Sequence, residues 1–377
     1  VNQLAKTFHN RRVLVTGHTG FKGSWLALWL KELGAQVIGL SLPQPPTNPN
    51  NFDVTGLGNH LIDIRSDIRD YDAVLSALEM HQPEIVFHLA AQPIVLTSYE
   101  APKETFDSNV IGTVNVLEAI RQTNSVEALI CITTDKVYQN QNWPWGYREN
   151  DLLGGHDPYS ASKAMAELAI ASYRSAFFAD QSRRENRVIL SSTRAGNVIG
   201  GGDFADFRLI PDCMTAIMRD EPIIVRNPNS VRPWQHVLEP LSGYLWLASQ
   251  MLTTKGDTFA QAWNFGPPER HGVTTEKIVE KVIALWGSGQ WKHQNNAAPQ
   301  VETAQFTINW DKAAKDLNWM PVYTWEQALE QTVDWFKHYQ TQNTGRGAAS
   351  ENMYVICARQ IQLYSESARQ IGLPWAQ

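Results

Sequence analysis

Tyr159 and Lys163 stand four residues apart in "PYSASK", inside a stretch whose apolar spacing predicts a long helix starting near Tyr159. Residues at this spacing share a helix face, so a phenol and an ammonium would lie side by side. A neighbouring ammonium favours the phenolate and is expected to draw the phenol's pKa toward neutrality, as proton transfer at a carbinol oxygen requires. The same pair also arises by chance in ordinary helices. A second pair, Asp135 and Lys136 in "CITTDKVYQ", follows a β-branched apolar run, a place that charges normally avoid unless they are used. Two readings stand: an acid and an amine serving one substrate, or a mutual salt bridge closing the strand end. Neighbours in an extended chain point to opposite faces, which makes direct pairing awkward. Thr134 could complete a hydroxyl-phenol-amine set with Tyr159 and Lys163.

These groups need a scaffold, and the first half of the chain supplies an alternating one. Apolar runs at 11–17, 36–42, 60–64, 84–90, 127–134 and 187–196 read as strands. Helical periodicity at 23–34, 71–81, 102–122 and from Tyr159 onward falls between them. Repeated β-α-β with apolar strands predicts an α/β fold, a doubly wound parallel (Rossmann-type) sheet covered by helices on both faces. Residues 1–196 are expected to form the dinucleotide-binding domain, completed by about 234–262. A smaller mixed lobe from 197–233 and 263–345 would cap the sheet's carboxyl edge, where ligands of such sheets bind. Residues 310–340 read as helices of that lobe, "TQNTGRGAAS" as a linker, and 353–370 as a tail helix, with the linker and tail together spanning 346–377.

The turn after the first strand, "TGHTGFKG", sets Gly17, Gly20 and Gly23 at G-x-x-G-x-x-G spacing. Residues without a Cβ let backbone approach a pyrophosphate at a helix N-terminus. The strand before the turn and the helix after it make this a dinucleotide site rather than a plain structural turn. Thr19, Phe21 and Lys22 belong to the same cradle. About twenty residues on, where an acid would read the NAD ribose, the chain has Gly39, Leu40 and Ser41. No Arg stands there either, so this position alone does not separate NAD from NADP. Asp67 and Ile68 are candidates for the adenine edge.

The bulk properties exclude several classes. The 377-residue chain has 43% hydrophobic and 19% charged residues, ordinary for a folded protein. A net charge of −6 argues against binding a nucleic-acid backbone. Three dispersed cysteines suggest neither disulfides nor zinc, and the ten histidines show no metal-ligand spacing. No leader or membrane span is read, so a cytoplasmic location is expected.

Taken together, "TGHTGFKG", "HLAAQP", "TTDKVY" and "YSASK" resemble the extended short-chain dehydrogenase/reductase superfamily, the NAD-dependent epimerases and dehydratases. "RAGNVIGGGDF", "RLIPD" and "RPWQHVLEPLSGYL" narrow the resemblance, over roughly residues 10–340, to the CDP-glucose 4,6-dehydratase family. It fades within "QNNAAPQVETAQFTINW" and in the tail. The resemblance implies a retained NAD that is reduced and reoxidised in one turnover, held additionally by Leu89, Ala90, Ala91 and Thr133. It implies CDP-glucose as substrate and a place in deoxysugar synthesis for bacterial surface (O-antigen) polysaccharide. Tyr159 would take the C4 hydroxyl proton, Asp135 would protonate departing O6, and Lys136 would remove H5. Related nucleotide-sugar dehydratases commonly carry Glu where Lys136 stands. By family position Asn197, Arg208, Arg226 and Arg232 would grip the diphosphate, and Trp234, Gln235 and His236 would shape the nucleotide pocket. Gln92 and Asn109 would approach the sugar or the nicotinamide ribose. By analogy, helices 102–122 and 159–178 would pair copies of the chain into a homodimer or homotetramer, although Val110, Val114 and Val116 must also cover the sheet. Two other readings remain: an epimerase or reductase on the same scaffold, and a non-catalytic NAD sensor. Epimerisation needs no acid at O6, and a sensor tends to lose the Tyr-Lys pair.

Overall fold

The computed structural model describes residues 2–179, 187–269, 272–294, 306–344 and 351–377. His271, most of the stretch where the resemblance fades, and residues 345–350 of the expected linker lie outside the described residues; the linker's first four residues, 341–344, instead continue the helix Trp325–Thr344.

Six strands follow the predicted alternation: β1 (Arg12–Thr16), β2 (Gln36–Ser41), β3 (Ile62–Arg65), β4 (Ile85–His88), β5 (Ala128–Ile132) and β6 (Ile189–Ala195). A further strand, Ala262–Phe265, pairs with β6 and completes a seven-stranded sheet. Its order is Ala262–Phe265, β6, β5, β4, β1, β2, β3, and every pairing is parallel. Strand order reverses between β1 and β4, which opens a crevice beyond their carboxyl ends.

Strand residues alternate between the two faces as a period of two requires. Val13 and Val15 enter one buried core with Trp25, Trp29 and Leu245, while Leu14 enters the other with Val86, Leu117 and Leu129. With both faces covered, β5 is apolar throughout and β1, β2 and β4 nearly so, the sequence signature of a buried parallel sheet, whereas edge strand β3 alternates Ile with Asp63 and Arg65.

Caps place the helices that matter. The glycine-turn helix (Phe21–Glu32) starts immediately after Gly20. The tyrosine helix (Pro158–Tyr173) starts with Asp157, whose side chain accepts from the Ser160 N–H at 2.9 Å, and with Pro158 at its first position. That start sets Tyr159 in the first turn, at the sheet's carboxyl edge. The predicted helix over 102–122 is one rod broken in register: Pro102–Phe106 and Gly112–Gln122 are α-helical, and Asp107–Ile111 forms a π turn between them.

The second half supplies the helix Leu209–Met218 and small strand pairs, Ile223–Val225 with Trp291–His293 and Val231–Arg232 with Val273–Thr274. The tail helix, Met353–Gln370, packs against the glycine-turn helix and against helix Trp325–Thr344. Its Tyr364 hydroxyl donates to the buried Glu239 carboxylate at 2.8 Å.

Candidate active site

Two cavities open side by side at the carboxyl edge of the sheet. The first, ≈ 550 Å³, begins at the β1 turn and runs past the ends of β2, β3 and β4. It gathers Gly17, Thr19, Gly20, Phe21, Lys22, Gly23, Asp67, Ile68, Leu89, Ala90, Ala91, Thr133, Tyr159 and Lys163, every residue that the sequence nominated for a dinucleotide. The glycines are there for contact. Gly17 has φ +77°, and a Cβ on it would stand 2.8 Å from the Ala90 nitrogen. A Cβ on Gly23 would stand 2.0 Å from the Gly17 carbonyl oxygen, an impossible distance. The turn therefore stays flat against the start of its helix, with backbone N–H groups free to meet an anion.

At the far end of this cavity, where a ribose acid is expected, Ser41 lines the wall, and His18 and Asp63 form a hydrogen-bonded chain behind it. The His18 ring fills the space above Gly39, where a Cβ would approach it to 2.3 Å. His18 Nδ1 pairs with Ser41 Oγ at 3.0 Å and Nε2 with Asp63 Oδ1 at 2.9 Å. The carboxylate thus arrives from the neighbouring strand β3. Ser41, Leu42, Gln44 and Arg69 also line this end, and sequence reasoning nominated none of them.

The second cavity, ≈ 580 Å³, shares Phe21, Lys22, Thr133, Tyr159, Asp203 and Arg208 with the first. It adds Thr134, Asp135, Lys136, Asn197, Arg226, Arg232 and Trp234. The phenol therefore stands on the wall where the cavities meet, and the Asp-Lys pair lies just beyond it. Asp203, Asp212, Thr275 and Gln294 are unforeseen members of this lining. Asp203 and Gln294 lie in irregular segments that a periodicity argument does not reach, and Asp212 and Thr275 in the first turns of the helices Leu209–Met218 and Thr275–Trp286.

Local geometry corrects the expectation about the Asp135–Lys136 pair. Strand β5 ends at Ile132, and Asp135–Val137 is a 3₁₀ turn, not extended chain. Thr134 caps it, accepting from the Lys136 N–H at 3.3 Å and donating to Asp135 Oδ1 at 3.0 Å. Asp135 is almost fully buried, and burial raises its carboxyl pKa against the opposing pull of Lys136, Thr134 and Arg232. Gly196 makes room for it: a Cβ there would lie 3.2 Å from Asp135 Oδ2.

The expected drop in the Tyr159 pKa is also corrected. Burial pushes the phenol up to about 12, and a hydrogen bond with Thr134 only partly offsets it. Lys163 responds to the same burial by falling to about 8, and Lys22 does likewise. The charges that act on the phenol are Asp135, Arg208 and Asp157, and those on the amine Cys131 and Glu167, so desolvation by the cleft sets the direction of both shifts.

Of the other nominated substrate residues, Asn109, Gln235 and His236 line neither cavity, while Gln92 lines the first, compatible with its expected approach to the nicotinamide ribose. Asn109 is fully buried in the π turn, accepting from the Gln92 N–H at 2.8 Å and donating to Ser162 Oγ at 2.9 Å. It ties the loop after β4 to the tyrosine helix and reaches neither cavity. Gln92 lines the first cavity, not the second, and its amide donates to Thr105 at 2.9 Å. His236 is a core residue against Trp25 and Tyr323, and Gln235 beside it donates to the Phe265 carbonyl at 3.2 Å. Trp234 precedes the two-residue strand Gln235–His236; both strand residues are buried, and Trp234 is the one of the three that lines the cavity.

Behind the site lies an ion pair that the sequence did not announce. Glu167, one turn beyond Lys163, accepts from Thr133 Oγ1 at 2.6 Å, Ser192 Oγ at 2.8 Å, and Arg194 Nε and Nη2 at 2.9 Å each. Arg194 also donates to the Tyr138 hydroxyl at 2.8 Å and the Glu149 carbonyl at 3.0 Å. The ends of β5 and β6 and the tyrosine helix are thereby pinned together.

Comparison with known proteins agrees with this architecture. Residues 14–332 match the family model of GDP-mannose 4,6 dehydratase. CDP-glucose 4,6-dehydratase of Salmonella typhimurium is 44% identical over 358 residues, covering 95% of this chain and 97% of the relative. A dTDP-glucose 4,6-dehydratase of Xanthomonas campestris is 26% identical, covering 87% of this chain and 93% of that one. Among solved structures, dTDP-glucose 4,6-dehydratase of Bacillus anthracis in complex with NAD superposes with a TM-score of 0.71 at 23% identity, over 87% of this chain and 96% of that one. From the extent of the family match and the identity to the Salmonella relative, the chain belongs to the GDP-mannose 4,6 dehydratase family.

Proposed function

We propose that the chain is a CDP-D-glucose 4,6-dehydratase, an NAD-dependent hydro-lyase that forms CDP-4-dehydro-6-deoxy-D-glucose and water. The observation that carries this reading is the meeting of the two cavities at Tyr159, with Asp135 and Lys136 on the second cavity's side of it. The 44% identity to the Salmonella relative supports CDP-glucose as the substrate. The close approach at Gly17 and Gly23 fits a dinucleotide diphosphate, and the fold neighbour solved in complex with NAD supports NAD as that dinucleotide. NAD in the first cavity would supply a hydride acceptor at C4 and a donor at C6.

The chain's own groups would carry the protons. Water is hard to remove across C5 and C6 because H5 is not acidic; oxidation at C4 places H5 next to a ketone. Tyr159 takes the C4 hydroxyl proton, with Thr134 on its oxygen and Arg208 favouring the phenolate. Lys163, held near a pKa of about 8, serves as the proton reservoir on the same helix face. Lys136 removes H5. Asp135, whose carboxyl pKa is raised by burial, acts as the acid at departing O6. A raised carboxyl pKa is the property a general acid needs and a salt bridge does not. Arg208, Arg226 and Arg232 meet the diphosphate as planar cationic forks, with Asn197 and Trp234 completing the nucleotide wall.

Two coarser readings accompany this one. The product belongs to deoxysugar synthesis, for which O-antigen polysaccharide is the destination we infer. Among the described residues no helix is long and apolar enough to cross a membrane. We also infer self-association through the helices at 102–122 and 158–173, which present exposed Ile111, Met165 and Leu168; Val116 is core.

The test is direct. The protein is incubated with CDP-glucose and NAD without added reductant, and 4-keto sugar is followed by its alkaline absorbance. Product without net NADH is expected; stoichiometric NADH would instead indicate a plain dehydrogenase.

A further inference from the structure

The glycine turn carries a lysine that a pyrophosphate cradle does not need. Backbone N–H groups supply the anion contacts of such a turn, and the side chain just before its third glycine has no part in them. Here that side chain is Lys22, and it borders both cavities. Arg208 and Lys163 are the cations that act on it, Asp135 and Asp203 the carboxylates. Asp203 is already engaged by Arg208 at 3.0 Å, and Asp135 accepts from Thr134. Among the described residues the Lys22 ammonium has neither a hydrogen bond nor an ion pair of its own, although burial holds its pKa down to about 8. A desolvated ammonium with three donors and no acceptor is poised for an anion from outside the chain.

We propose that Lys22 couples the two ligands: its ammonium is shared between the diphosphate of a dinucleotide in the first cavity and that of a nucleoside diphosphate sugar in the second, so that each tightens the other. The inference rests on reading the second cavity as a nucleotide-sugar site. Its consequence is functional, because a dinucleotide locked in place while sugar is present is not lost between the two hydride transfers. Coupling between two sites is reciprocal, so either ligand can report it.

The experiment measures the dissociation constant of NAD by calorimetry on the full chain at pH 7, with and without saturating CDP, a nucleoside diphosphate that cannot react. For the wild type, CDP is expected to tighten NAD about 10-fold, inside the range typical of coupled sites, and for Lys22→Met the effect should shrink to about 2-fold or less while each ligand still binds. Lys22→Arg retains the charge and is expected to retain most of the coupling, which separates loss of charge from damage to the turn. Equal coupling in wild type and Lys22→Met overturns the proposal, as does binding of both ligands by the wild type without coupling. Loss of coupling in Lys22→Arg overturns it too. Failure of the wild type to bind CDP at all defeats the nucleotide-sugar reading, and this inference with it.

Discussion

Replacing Glu167 with Gln is the sharpest test of how the site is held. The substitution preserves shape but removes the charge opposite Arg194, and both side chains are nearly inaccessible, at 4% for Arg194 and 3% for Glu167. Gln can still accept from one of Thr133 and Ser192. Its amide group, however, turns a donor toward a guanidinium that is itself all donors. An uncompensated buried charge of this kind costs about 3–5 kcal/mol. Chemical denaturation with an unchanged slope should therefore give a midpoint shift corresponding to that loss. The sign of the pH dependence provides an independent check. Burial alone would raise the Glu167 pKa, but pairing and hydrogen bonding with Arg194, aided by Thr133 and Ser192, hold it below its ordinary value of 4.5. A carboxyl depressed on folding contributes stability above its unfolded pKa and loses it as pH falls through the folded value. Wild type and variant should thus differ most at neutral pH and draw together as pH falls below about 4.5, closing once folded Glu167 takes up its proton at a lower pH. A loss under about 1 kcal/mol at pH 7, or a difference that grows on acidification, would refute the argument that this pair pins the site.

The remaining predictions concern chemistry and the turn. Tyr159→Phe should lower keto-sugar formation by about 10²–10⁴-fold while leaving NAD affinity within a few fold, as expected for losing a proton-transfer group and one hydrogen bond. Lys136→Ala should permit oxidation at C4 but stall elimination, so reduced dinucleotide accumulates in a single turnover with no deoxysugar; normal water loss would end the assignment of the base. Gly23→Ala must displace the Gly17 carbonyl from a 2.0 Å overlap. A cost of about 1–3 kcal/mol and loss of measurable NAD binding are expected, read by thermal melts and calorimetry.

Several features were legible because they depend on local rules. The alternation of β1 to β6 with helices is written in apolar spacing, since covered parallel strands must be apolar on both faces. Gly17 and Gly23 announce a cradle because no other residue tolerates those approaches. Tyr159 and Lys163 share a face by helix geometry alone. Other features were hidden because they depend on partners distant in the chain. His18 and Asp63, or Glu167 and Arg194, are 45 and 27 residues apart and meet only through the parallel crossovers. The fate of Asn109 was decided by the π turn, and that of His236 by packing against Trp25 and Tyr323 from distant parts of the chain.

The electrostatic state of the site belongs to the same second group. From sequence, Lys163 beside Tyr159 suggested a lowered phenol pKa; in the folded chain burial raises it to about 12 and lowers the amine to about 8. Spacing along the chain determines which groups can be neighbours, and here it determined the fold class, the cradle and the Tyr-Lys and Asp-Lys pairs. Only the tertiary structure decides how much water each group keeps, because desolvation is imposed by surfaces assembled from the whole chain.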